Sequence, residues 1–411
     1  MATRPPIRLS FSAEPSTRSF AILSGMENMT RSMIAPIIPL QGIALLKTEA
    51  MTSGALFVGS LFAFLVLLSG GYLIRHFSRK VVFTASMVGV ALSTFLLIAD
   101  TAPTFILGAA FRVACAGLNI LCMSLYVFDF IPKSKYGDAE SKRVFWGALA
   151  WILGPIIGAF LYTEVDKSLP YWLTNIAVIV QLVLFWHLRI NDSDRINAPH
   201  IGSSIATPQR SIITVAARFF GRPELRKAYV IPFVRSLFWV SLFTYLPLYV
   251  ASVESIPDLW LGVLFASFQI GLMFSGAIKS ISERLGLRRF IVSSFLFGTI
   301  FMVALALVPE RNLLGIVLWF LAICAAVALD VAGNVPFLRL VPASERTEMT
   351  VVFSTWRDLS FALTPGVGFI LLTLSNDNLA WVFWALAIAF LAAGIYAWRL
   401  PHALDADAVD D

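Results

Sequence analysis

The chain has 411 residues, of which 58% are hydrophobic and only 14% charged. Such a composition excludes an ordinary soluble enzyme, because the apolar residues form repeated runs of membrane-crossing length separated by short charged segments. The net charge of +6, from 31 Lys and Arg against 25 Asp and Glu, follows the bases of particular loops and not one continuous face, which argues against a nucleic-acid partner.

Residues 1–18, with Arg4, Arg8, Glu14, Pro15 and Arg18, read as a cytoplasmic arm ahead of a retained first helix. The apolar runs predict spans at 19–40, 52–74, 82–99, 104–128, 143–163 and 171–188, each near the roughly 20 residues that cross hydrocarbon. The segment 189–227 is the one long connection, where Asn191, Asp192, Ser193, Pro199, Gly202 and Pro208 interrupt any packed core. Its second part, Gln209 to Phe220, sets Ile212, Ile213, Val215, Ala216 and Phe219 beside Arg210 and Arg218 and predicts a helix at the cytoplasmic interface. Spans follow at 228–250, 259–279, 290–308, 313–335, 350–374 and 379–399, and the acidic segment 400–411 reads as a solvated tail. Continuous runs such as Leu61-Phe62-Ala63-Phe64-Leu65-Val66-Leu67-Leu68 oppose the alternation of a lipid-facing barrel. The expected fold is all-α, with twelve transmembrane helices in two pseudo-symmetric six-helix bundles, 19–188 and 228–399, joined by the 189–227 linker.

With both termini inside, every base outside the spans except Lys47, Lys167 and Arg311 falls on the cytoplasmic side. That distribution predicts a multi-pass protein of a bacterial inner membrane or a plasma membrane with cytoplasmic termini. Cys115, Cys122 and Cys324 stand singly inside apolar runs, without ligand spacing, so no metal or disulfide role is expected. No nucleotide motif is present, and no cofactor or catalysis is expected.

Corresponding loops of the two halves carry clustered bases. After the second span comes Gly71-Tyr72-Leu73-Ile74-Arg75-His76-Phe77-Ser78-Arg79-Lys80, and after the eighth comes Ser282-Glu283-Arg284-Leu285-Gly286-Leu287-Arg288-Arg289. Gly154-Pro155-Ile156-Ile157-Gly158 in span five likewise matches Thr364-Pro365-Gly366-Val367-Gly368 in span eleven. Parallel repeats of this kind suggest two related bundles with a pathway between them.

Over nearly its whole length the chain resembles the major facilitator superfamily. That family's loop motif, Gly-x-Leu-x-Asp-Arg-x-Gly-Arg-Arg, aligns with Gly71, Leu73, Arg75, His76, Ser78, Arg79 and Lys80, with Arg75 in place of the family acid. The second copy, Glu283, Arg284, Gly286, Arg288 and Arg289, is nearer the motif, with Lys279 at its opening glycine position. The resemblance implies a cytoplasmic gate at Gly71, Arg75, His76, Arg79, Glu283 and Arg284. Arg112 followed by Gly117 resembles the span-four signature that implies proton coupling. Gly147 with Gly154-Pro155-x-x-Gly158 resembles the span-five motif of exporters and antiporters.

Gly147, Gly154 and Gly158 recur near one helix face, where a neighbouring helix can approach closely, and Pro155 weakens the local ladder. They read as a seam that moves as the halves rearrange or as static small-residue packing, with Pro365, Gly366 and Gly368 as the paired seam.

Charges inside spans are costly and concentrate function. Glu27 and Arg31 stand four apart in span one, the spacing of an internal ion pair that is either structural or a relay. Arg112 in span four is expected to hold or release a carboxylate, with Glu27 as a candidate, so that protonation changes shape. Arg235 in span seven joins Arg31 in a two-arginine clamp for an anion, or else snorkels to the boundary. In span ten, Asp330 and Asn334 are candidates for proton or substrate binding or for a polar packing network. Trp239, Tyr245 and Tyr249 of span seven are the pocket candidates among many aromatic residues.

The resulting expectation is secondary transport by alternating access: proton-coupled export of a small organic anion or amphipathic compound. Proton-coupled uptake or organic-anion exchange is the alternative, and a metabolite receptor is a third reading. Lipid and a small-molecule substrate are the implied partners, and a monomer suffices for the pathway.

Overall fold

A computed structural model describes residues 17–131, 136–187, 212–253, 256–257, 259–342 and 345–401. The expected arm, the connection 188–211, the acidic tail and the Arg75 side chain lie outside the described residues, apart from the arm's last two residues and the first two of 400–411. Every regular element described is helical.

Among the described residues, eleven helices are long and apolar enough to cross a membrane: Thr17–Leu46, Glu49–Ile74, Arg79–Ile98, Ala102–Val127, Glu140–Val165, Leu169–His187, Pro223–Ala251, Leu287–Ala306, Leu313–Leu340, Glu348–Leu374 and Ala380–Trp398. The remaining span, the eighth, is a pair, Trp260–Gly271 and Ser275–Leu285, bent by 50°. Its break is flanked by Gly271 and Ser275-Gly276, small residues that leave the helical ladder weakly braced. Proline explains two further interruptions. Span one divides into Thr17–Ser32 and Ile37–Leu46, with Pro36 at the second start, and span ten divides at Gly333-Asn334 just before Pro336. Starts are fixed by side chains that accept orphan amides: Thr48 from Met51, Thr101 from Thr104, and Asn312 from Gly315.

Packing repeats between halves. Span one packs on five, three on four and three on six; span seven packs on eleven, nine on ten and nine on twelve. The halves meet mainly through span two with eleven and span five with eight, and also where span one touches seven. The two main pairs are equivalent under the repeat, because two corresponds to eight and five to eleven. Leu65, Leu68, Ile179, Val183, Ile300 and Ile388 are exposed on the outer surface, as lipid-facing residues must be.

The two ends of the assembly differ. On the face away from the chain termini, called here the far face, Phe369 fits against Gly54, Phe57 against Gly366, and the Pro155 backbone against Gly262. Toward the terminal face, Gly71 and Gly276 have nothing within 4 Å of where a side chain would begin. The close approaches between the halves at these glycines thus lie toward the far face.

The repeated loops also share a backbone device. The turn between spans two and three passes through Ser78 at φ 66°, and the turn between eight and nine through Gly286 at φ 84°. This left-handed position is where the family motif carries glycine, and the first half meets it with serine.

The helix expected in the linker is present as Ile212–Gly221, but it docks on the second bundle. Val215 and Phe219 are buried in a cluster with Phe337, Met349 and Phe353, while Arg218 and Arg222 bond Glu345 at 2.9 and 2.7 Å.

Candidate functional site

Two charge clusters face each other across the junction of the halves. In the first half, Arg31 Nε lies 2.6 Å from Glu27 Oε1, and Arg31 Nη2 donates to Asn28 Oδ1 at 2.9 Å. Trp151 of span five donates its indole N–H to the same Asn28 oxygen at 3.0 Å, and the Arg31 guanidinium stands 5.9 Å from the Trp151 ring centre. The spacing of four residues on a helix brings Glu27 and Arg31 together, and the break ahead of Pro36 ends the helix one residue later.

In the second half, Arg235 Nε lies 3.0 Å from Asp330 Oδ1, and Trp239 donates to Asp330 Oδ2 at 2.9 Å. Arg235 also reaches the Leu329 carbonyl at 3.4 Å and stacks 4.9 Å from the Trp356 ring centre. Arg235 therefore neither snorkels nor forms an open clamp with Arg31: it is buried and held by an acid of its own half. Desolvation explains this, since a buried guanidinium needs a carboxylate and hydrogen-bond acceptors around it.

An aromatic line joins the clusters. Trp151 is 5.3 Å from Phe243 of span seven across the junction, and Phe243 is 6.3 Å from Trp239. Trp239 lies on this line beside Asp330, whereas Tyr245 and Tyr249 lie away from it. Six residues beyond Trp239, Tyr245 lies on another flank of the helix, where its hydroxyl is 2.7 Å from Ser53 of span two. Tyr249 is buried, and its hydroxyl meets the backbone of Asn312 at 3.3 to 3.4 Å.

Arg112 is buried, but its partner is the Thr30 carbonyl, while Glu27 is taken by Arg31. Its other terminal nitrogen, Nη1, is buried without a hydrogen-bond partner. Asn334 sits at the span-ten break with its Oδ1 buried and unpartnered, so it does not share Asp330's network.

The glycine seams prove unlike each other. Gly154 and Gly158 press on Ser32 and the Met33 backbone of span one, and Gly147 on Asn28, so this seam lies within one half. Pro155 faces span eight through Gly262, Gly366 and Gly368 face Phe57 and Ser53 across the junction, and Gly368 also meets Tyr245 of its own half. The candidate gate residues stand toward the terminal face. His76 is exposed and stacks on Tyr72 at 5.6 Å, Arg284 is exposed, and Glu283 pairs with Lys279 at 3.6 Å. Arg79 keeps a partner of its own.

Sequence reasoning missed a latch on the far face. Arg311, between spans nine and ten, binds Glu49 at the start of span two through both guanidinium ends, one contact at 2.9 Å, and reaches Ser252 at 3.2 Å. Asp377, between spans eleven and twelve, accepts the Ala50 amide at 2.7 Å. The signal was available in Arg311, one of three bases on the otherwise base-poor side. A separate cavity of about 240 Å³ lies at the far face of the first half, but Gln41 spans its polar wall, bonding Leu97, Asp100 and Tyr171. At its rim, outside the spans, Ser168 donates to Asp166 and holds that carboxyl below its ordinary range. No group of three or more His, Cys, Asp or Glu side chains able to hold a metal occurs among the described residues.

Known structures share this architecture. The chain superposes on the nucleoside transporter NupG with a TM-score of 0.74 at 13% identity, covering 94% of this chain and 99% of that one. A D-xylose-proton symporter gives 0.68 at 13% identity, covering 94% and 96%. In sequence, the chain is 20% identical over 336 residues to the proton-coupled antiporter flippase LtaA of Staphylococcus aureus (strain USA300), covering 79% of each chain. The family model of the Major Facilitator Superfamily matches residues 20–309. With that match over most of its length and the two-bundle fold beneath it, the chain belongs to the Major Facilitator Superfamily of secondary transporters.

Proposed function

We propose that the protein is a proton-coupled transporter of a small organic molecule, that the paired clusters are its binding centre, and that proton and substrate move in the same direction. The observation carrying this reading is the Glu27–Arg31 ion pair at 2.6 Å beside the junction. Ionised Glu27 competes with any anionic group that approaches Arg31. A proton on Glu27 cancels that hold and leaves Arg31 to the substrate. Proton and substrate then favour each other's binding, and the linkage is reciprocal. A carrier in which the doubly loaded form reorients most readily is a symporter. With cytoplasmic termini, as the loop bases favour, an inward proton gradient drives uptake.

Export by antiport is the second reading, supported by Gly154-Pro155-Ile156-Ile157-Gly158 and by similarity to a protein named as an antiporter flippase. There, proton and substrate must exclude one another. Purified protein in oriented liposomes, with an internal pH indicator and a metabolite mixture outside, separates the two. Substrate entry accompanied by proton entry supports symport. Proton entry only when substrate is trapped inside supports antiport, and substrate flux with no proton movement overturns the coupling.

A further inference from the structure

The two clusters contain the same three chemical parts, a carboxylate, an arginine and a tryptophan, but they present opposite charges. In the first half the Arg31 side chain is 33% exposed and Glu27 only 8%. In the second, Arg235 is 6% exposed and Asp330 25%. The accessible group is therefore a cation on one side of the junction and an anion on the other. Each buried member neutralises its partner and sets its position without meeting a ligand directly.

Trp151, Phe243 and Trp239 fill the interval between these charges with ring surface. Both indole N–H groups are already committed, one to Asn28 and one to Asp330, so the rings offer faces and edges, not free donors. The nearby charges leave the polarity unchanged. Arg112 is turned to the Thr30 carbonyl and adds to the positive side, while Arg357 lies over Trp356 beside Asp358 of opposite sign.

Resting on the binding-centre reading above, we propose that the substrate is a zwitterion, with its anionic group on Arg31, its ammonium group on Asp330, and an apolar body along the Trp151–Phe243–Trp239 line. A simple anion finds one accessible cation and meets a repelling carboxylate at the other end. A simple cation meets the reverse. Only a molecule carrying both signs satisfies both halves, and an ammonium near Trp239 also gains from the ring face. Binding both halves at once is what lets a substrate bias their relative position.

Counterflow in liposomes tests this with a panel of amino acids and ω-amino carboxylates of increasing charge separation, each alongside its N-acetyl and its methyl ester derivative. The expected result is exchange of at least one zwitterion and a loss of about tenfold or more for both of its derivatives, the order of one charge-assisted hydrogen bond. Asp330→Asn should erase discrimination against the N-acetyl form, and Arg31→Gln should erase discrimination against the ester. This crossed pattern is not produced by general damage to the fold. Exchange of N-acetyl forms or plain carboxylates as well as zwitterions overturns the proposal and leaves the transport reading intact. No exchange by any member overturns the proposal and the binding-centre reading together.

Discussion

Arg311 and Glu49 form a two-pronged ion pair between the halves, joining the loop before span ten to the first residue of span two. A second layer lies deeper, where Ser53 stands 2.7 Å from the Tyr245 hydroxyl and donates to the Pro365 carbonyl at 2.8 Å. Alternating access requires both layers to part when the far face opens, so their strength sets the balance between states.

Removing the outer layer should shift that balance. Arg311→Gln and Glu49→Gln each remove charge-assisted bonds worth about 1.5–3 kcal/mol, enough for roughly a tenfold or greater gain in far-face opening. Spin labels at Lys167 and Glu310, both exposed on that face, report the distance between halves once the native Cys115, Cys122 and Cys324 are replaced. Both variants should lengthen it, and the exchanged pair Glu49→Arg with Arg311→Glu should restore it. An unchanged distance distribution in both single variants would remove the latch from the mechanism.

The seam within the first half gives a second prediction, about stability. A methyl group at Gly158 would collide with the Met33 carbonyl, whereas one at Gly147 would meet Asn28 Nδ2 at an ordinary 3.4 Å. Gly158→Ala should therefore destabilise the protein by about 1–3 kcal/mol, as overpacked sites do, and Gly147→Ala should be nearly neutral. Thermal unfolding in detergent compares them directly. Equal melting temperatures for the two variants would show that span one yields at Met33.

Much of the helix layout was legible in sequence because apolar length is a local property. The run at 350–374 appears as Glu348–Leu374, and the run at 228–250 as Pro223–Ala251. Span one, expected to end at 40, restarts at Ile37 after the break at Pro36 and continues to Leu46, because a proline interruption does not end the apolar run. The Glu27–Arg31 pair was legible from its spacing of four. The Arg235–Asp330 pair was not, because its partners stand on spans seven and ten and only tertiary packing selects them. Side-chain direction also decided Tyr245, whose chemistry suited a pocket equally well. Which member of each ion pair faces the junction depends on the same packing, and no pattern along the chain records it.

Ser78 supplies a third prediction. Its backbone, at φ 66° and ψ 154°, occupies a region open almost only to glycine, and the equivalent turn of the second half has Gly286 there. Ser78→Gly should relieve about 1 kcal/mol of strain and raise the melting temperature, while Ser78→Ala should not. A lower melting temperature for the glycine variant would mean that the serine side chain contributes more than its backbone costs.

Glu27→Gln tests the coupling itself. The amide copies the neutral acid, so Arg31 is permanently released toward the substrate. Counterflow should persist in the variant, while accumulation driven by a pH gradient disappears. The split between exchange and accumulation matters, because a merely structural ion pair predicts that both decline together. Arg112→Gln provides the contrast. Arg112 holds the Thr30 carbonyl from span four and does not touch Glu27's partner, so its loss should weaken the seating of span one and reduce exchange and accumulation alike. If Glu27→Gln still concentrates substrate against a gradient, the coupling proton resides elsewhere, and Asp330, the more exposed acid of the junction, becomes the group to replace next.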